Sequence, residues 1–106
     1  MTTALLKKIF LILITIVFTT SVLSDDKIDL GLEVFNNKAT CGTCHVLKTA
    51  GSTGNIGPDL DQLKPSMERI IYAVKNGIGV MQAWEGILTS GEIEAVAYYV
   101  FNSTNK

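Results

Sequence analysis

Cys41, Cys44 and His45 are the only two cysteines and the only histidine in the 106-residue chain, and they stand together as Cys41-Gly42-Thr43-Cys44-His45. Residues at i, i+3 and i+4 share one face of a helical turn, so two thiols and an imidazole can address the same group. This C-x-x-C-H spacing suits covalent c-type haem attachment. The thiols add to the porphyrin vinyl groups as thioethers, and the adjacent imidazole takes the proximal position on iron. Three other chemistries compete. A structural zinc site needs four ligands, and Cys41, Cys44 and His45 are three. A thioredoxin-type dithiol belongs in a βαβ setting, and no strand-rich pattern surrounds the motif. A structural disulfide would close a very short loop and leave His45 without a role. The expected cofactor is one haem c, bound covalently through Cys41 and Cys44, with His45 as an iron ligand.

A second iron ligand cannot be histidine, because the chain has no other. Methionine is the common partner of histidine in electron-transfer cytochromes c. Met67 falls on the apolar stripe of a predicted helix, where methionine usually fills gaps in a core. Met81 lies in a glycine-rich connection, Asn76-Gly77-Ile78-Gly79-Val80-Met81-Gln82-Ala83-Trp84. Gly77 and Gly79 allow the backbone to approach closely there. Met81 is the expected ligand, against the competing reading of a plain hydrophobic contact. Trp84 either shields the haem edge, contacts a propionate, or packs in the core. Arg69 reads as part of a solvated helix face.

The elements that must position these residues begin after a leader-like segment. Lys7 and Lys8 precede an apolar run from Ile9, and Val22-Leu23-Ser24 has the small residues of a cleavage site. This order of basic, apolar and small residues predicts a secretory signal peptide over 1–24, cut after Ser24. The alternative is an uncleaved anchor, but Ile9 to Leu23 is shorter than the roughly 20 residues a spanning helix needs. Residues 25–106 then form one domain, and the product is expected in the periplasm, off the membrane once the leader is removed. That part carries seven Lys or Arg against ten Asp or Glu, a net charge of −3. Nothing basic suggests nucleic acid, and no basic amphipathic helix suggests anionic lipid.

Three helices are predicted in this domain. Ile28, Leu32 and Phe35 follow an i, i+4, i+7 stripe over 26–37. Met67, Ile70, Ile71 and Val74 form a second stripe over 66–76, with Pro65 ahead of it and Gly77 behind. Thr89-Ser90-Gly91-Glu92 has the spacing of a capping box, and opens a helix with Ile93, Val96, Ala97 and Val100 on one face. No alternating pattern of useful length marks a strand. The expected fold is all-α, with helices wrapped around a covalently bound haem. A domain this small is marginal alone, and the haem would act as its staple.

Taken in order, Cys41-Gly-Thr-Cys44-His45, Gly57-Pro58-Asp59-Leu60, Asn76-Gly77 with Met81, and a C-terminal helix resemble a small bacterial class I mono-haem cytochrome c. The likeness runs over 25–106. It implies that the Pro58 carbonyl accepts a hydrogen bond from the non-ligating nitrogen of His45. It also implies that the first helix crosses the last through Gly31 and Phe35, with Tyr98 or Tyr99 opposite. Many relatives place proline after the ligand methionine, where this chain has Gln82. The resemblance implies a one-electron carrier and not an enzyme, serving donor and acceptor proteins as a monomer or as a subunit of a redox complex. The alternative is the haem subunit of a periplasmic dehydrogenase or oxidase. A third reading, an open distal site for peroxide or gaseous ligands, finds no second histidine to support it.

Overall fold

The computed structural model describes residues 25–106; the predicted leader, 1–24, lies outside the described residues. Helix α1 occupies 25–33 and runs directly into a π turn, Val34–Lys38. The turn is closed by the Ala39 N–H, which donates to the Val34 carbonyl at 2.8 Å. The predicted helix over 26–37 is therefore present, with a widened last turn. Each residue of a π turn advances through a smaller angle than in an α turn, so the adjacent Val34 and Phe35 can both be buried.

A short irregular stretch follows: a 3₁₀ turn Cys41–Thr43, strand β1 Val46–Leu47, a 3₁₀ turn Lys48–Ala50 and strand β2 Ser52–Thr53. The strands pair antiparallel, Val46 opposite Thr53 and Leu47 opposite Ser52. Two-residue strands are too short to show alternation, which is why the sequence does not reveal them. They clamp a loop and contribute no sheet core, so the fold is all-α.

Three further helices complete the domain. Asp59 caps the short α2, Leu60–Leu63, by accepting from the Gln62 N–H. Ser66 caps α3, Met67–Asn76, accepting from the Arg69 N–H at 3.2 Å. Helix α4, Ser90–Thr104, opens with both halves of the predicted capping box. The Thr89 hydroxyl accepts from the Glu92 N–H at 3.1 Å, and the Glu92 carboxylate accepts from the Thr89 N–H at 3.0 Å.

The core is built on α4, where Ile93, Val96, Ala97, Tyr99 and Val100 are buried. Ile70 and Val74 of α3 are buried with them, while Met67 and Ile71 pack at the edge of the cluster. Helix α1 approaches α4 so closely that a Cβ on Gly31 would collide with the Ala95 carbonyl oxygen and sit 2.5 Å from Tyr99 Cβ. The Phe35 and Tyr99 rings then meet edge to face, with centroids 6.1 Å apart, a favoured aromatic geometry. Tyr99 is thus the aromatic partner. Tyr98 is turned aside and has the Lys27 ammonium 4.8 Å from its ring centroid.

Candidate haem site

The packing of these elements leaves a cavity of about 610 Å³, bounded by the Cys–His turn, the loop before α2, α3, the connection after α3, and α4. Cys41, Cys44, His45, Pro58 and Met81 all line it, and no Asp or Glu does. Its walls are chiefly apolar, with Phe35, Leu60, Ile70, Val74, Val96 and Val100 contributing. Met67 is not part of the lining and packs instead against the core. The structure therefore separates the two methionines on spatial grounds.

The three motif side chains converge through a turn tighter than an ordinary α-helix. Thr40 precedes it in the left-handed region, φ 48°, an uncommon conformation for a residue with a Cβ. The Cys41 carbonyl then accepts from both the Cys44 N–H at 3.1 Å and the His45 N–H at 3.0 Å. One oxygen thus ties down positions i+3 and i+4 together. The Ser52 hydroxyl of β2 donates to the His45 carbonyl at 2.9 Å, so the small ribbon braces the turn from behind. Both thiols are free. Burial pushes the Cys41 thiol up to about 11, which keeps it protonated at neutral pH.

His45 is held on two sides. Its Nδ1–H donates to the Pro58 carbonyl at 2.8 Å, the contact implied by the family resemblance. With the proton on Nδ1, Nε2 is left as the nitrogen with a free lone pair. Gly57 lies against the ring, and a Cβ there would fall 2.5 Å from His45 Cε1. The Gly57 N–H donates to the Cys44 carbonyl at 2.7 Å, which locks this loop to the motif. The Gly-Pro pair is consequently a clamp on the imidazole.

Met81 sits at the end of a tight turn. Ile78 and Met81 exchange two backbone hydrogen bonds, at 3.0 and 2.9 Å. Gly79 between them adopts φ +56°, the left-handed value that such two-residue turns require. Downstream, the Trp84 N–H donates to the Val74 carbonyl at 2.8 Å and fastens the connection to α3. The backbone bonds on either side of Gln82 hold this connection in place. Trp84 is half-buried, packs against the core and also lines the cavity.

Arg69 is exposed, as expected of a solvated helix face, and it is also among the residues lining the cavity. Its stripe neighbours Ile70 and Val74 point to the core, and a residue at the border of such a stripe can belong to either side. The lining as a whole fits a c-type haem: an apolar enclosure free of carboxylates, two thiols beside an oriented imidazole, and a thioether.

Comparison with known proteins agrees with this fit. Residues 26–100 match the family described as cytochrome C oxidase, cbb3-type, subunit III. The chain is 37% identical to cytochrome c6 of Tetradesmus obliquus over 87 residues, 73% of this chain and 93% of that protein. It is 38% identical to cytochrome c6 of Euglena viridis over 86 residues, 71% of this chain and 91% of that one. Among solved structures, the c-type cytochrome SorU from Sinorhizobium meliloti superposes with a TM-score of 0.71 at 49% identity. That match covers 77% of this chain and 95% of the other.

Proposed function

The chain belongs to the small class I mono-haem cytochromes c, and from that premise we propose that it is a periplasmic one-electron carrier with iron held by His45 and Met81. It is an electron-transfer protein, not an enzyme, and carries one covalent c-type haem. When bound, the haem supplies a reversible one-electron couple between ferric and ferrous iron. The protein's work is to hold that group, set its potential and present it to donor and acceptor proteins. Cys41 and Cys44 anchor the ring through thioethers. The Pro58 carbonyl orients His45 and raises its basicity as a ligand. Met81, presented by the turn at Gly79, would supply a thioether as the second protein ligand to the iron, which would leave the haem suited to electron transfer rather than to substrate binding.

The observation that carries this reading is the shared cavity. Both thiols, the clamped imidazole and the Met81 side chain line it, and Met67 does not. The periplasmic assignment rests on the leader-like order of residues 1–24. Among the described residues no helix is long and apolar enough to cross a membrane. A subunit role has one observation in its favour, the oxidase-subunit description of the family matched by 26–100. The free carrier is preferred because the cytochrome c6 relatives are matched over nearly their whole length. The native mass of the purified holoprotein separates the two: a monomer supports the carrier, a stable larger assembly the subunit.

The ligand assignment has a direct test. Ferric iron with methionine bound shows a weak charge-transfer band in the far red. The band is expected at neutral pH, is retained in Met67→Leu and is lost in Met81→Ala. The Met81→Ala protein should bind added imidazole or cyanide readily, and its potential should fall because a thioether favours ferrous iron. Loss of the band in Met67→Leu instead would reverse the assignment. A negative peroxidase stain of the denatured wild-type band would remove the covalent haem and the whole reading with it.

A further inference from the structure

Among the described residues, Arg69 is the one permanently charged side chain lining the cavity. It has no ion-pair partner: the pairs among the described residues are Lys27–Glu94, Lys38–Glu92 and Lys75–Glu85. No side-chain hydrogen bond from its guanidinium occurs among the described residues either; the bond to Ser66 is made by its backbone N–H. A fork of unpaired N–H donors thus borders a cavity that contains no carboxylate of the protein's own.

We propose that Arg69 binds a propionate carboxylate of the haem and thereby helps set the redox potential. This rests on the haem reading above. The chemistry of the ring supplies the first argument. Its vinyl and propionate substituents occupy opposite edges, so attachment at Cys41 and Cys44 keeps the carboxylates away from the motif turn. Any protein donors they meet lie elsewhere in the lining. Among the described residues, the side-chain nitrogen donors in the lining outside the motif are Arg69 on α3 and Gln82 and Trp84 on the connection after it. Of these only Arg69 offers a full opposite charge and a bidentate geometry.

The second argument is placement. Arg69 is exposed while still lining the cavity, so it stands at the border with solvent. A propionate there can stay partly hydrated, and neither ion suffers the full desolvation penalty of a buried pair. One turn further along α3 the lining residue is Ala73, whose small side chain leaves room beside the guanidinium. A positive charge at this position favours the ferrous state, because it disfavours the extra positive charge of ferric haem and offsets the propionate.

The test uses the holoprotein and its Arg69→Gln and Arg69→Lys forms, with Lys75→Gln as a control. Lys75 lies on the same helix and changes the net charge equally, but it does not line the cavity. Haem content is measured first by mass and peroxidase stain; absence of haem from the wild type defeats the parent reading, independently of Arg69. With haem present, Arg69→Gln should shift the one-electron equilibrium towards ferric by about fivefold, as expected for a charge several ångströms from iron in a partly screened medium. Arg69→Lys should recover most of that shift, and Lys75→Gln should cause much less. In the ferrous wild type, NMR should show a nuclear Overhauser contact between the Arg69 Nε–H and a propionate methylene. A shift no larger than that of Lys75→Gln, or absence of the contact in a spectrum where the Arg69 Nε–H is assigned, would overturn the proposal.

Discussion

At the scale of single residues, the site depends on contacts made at very short range around His45. Gly57 is the tightest of them. Its Cα lies where any side chain would strike the ring, 2.5 Å from Cε1 and 2.8 Å from Nδ1. The ring cannot simply retreat, because Nδ1 is bonded to Pro58 and the Gly57 N–H to Cys44. Gly57→Ala should therefore push the imidazole off its Pro58 partner, weaken the fold by about 1–3 kcal/mol, as overpacking does, and alter the visible spectrum of the holoprotein. Chemical denaturation and absorption spectra check the two halves. An unchanged spectrum with unchanged stability would mean that the loop moves aside at little cost.

At the scale of elements, two junctions of α4 carry distinct expectations. The crossing with α1 has no room for a methyl group at Gly31, where a Cβ would meet backbone oxygen. Gly31→Ala should force the helices apart, loosen the Phe35–Tyr99 contact and lower stability by roughly 1–3 kcal/mol, seen as a drop in Tm with near-ultraviolet signal altered. The other junction is the N-terminus of α4. Thr89→Ala removes one half of the capping box and should cost about 1 kcal/mol. Glu92 supplies the other half. Its carboxyl is pulled down to about 2, first by the hydrogen bond from Lys38 and then by the Thr89 N–H. A depressed carboxyl pKa stabilises the fold above the ordinary carboxylate range, and that contribution is lost as the pH falls from there towards 2. The Tm difference between wild type and Glu92→Gln should accordingly be full at neutral pH and shrink below about pH 4.5, the ordinary value for this group. Lys38 is raised by the same partner, so its share fades on the alkaline side, above its ordinary range.

At the scale of the whole molecule, the cavity of about 610 Å³ lies where the helices meet. Side chains that would otherwise form the centre of the core, Phe35, Ile70, Val74, Val96 and Val100, have one face on it. A domain of this size buries only about 60% of its unfolded surface, which leaves little reserve if its centre is unfilled. The doubly substituted Cys41→Ala, Cys44→Ala chain, prepared without haem, should lack a cooperative near-ultraviolet thermal transition while keeping part of its far-ultraviolet helicity. A sharp, wild-type-like transition in that chain would show that the helices hold together by α1–α4 and α3–α4 packing alone.

What could be read from sequence is what repeats or caps within a few residues. The C-x-x-C-H spacing, the stripes of α1 and α3, and the Thr89–Glu92 box each lie inside about one to three turns of helix, so local geometry alone relates their side chains. What only the tertiary structure decided depends on segments brought together from far apart. Tyr98 and Tyr99 are adjacent on α4, and their order in the chain cannot say which one meets Phe35. The His45–Pro58 contact is implied by the family resemblance, but the two are 13 positions apart and no local geometry relates them; the Gly57–Cys44 bond folds the loop back so that it forms. Met81 is already expected over Met67 from its glycine-rich connection, but the turn at Gly79 and the Trp84–Val74 bond are what carry it to the cavity. Arg69 joins the lining because it stands at the border of an apolar stripe, where periodicity does not distinguish solvent from an interior space. Residue spacing within a helix is set by the backbone; the partner across a gap is set by the packing of the whole chain.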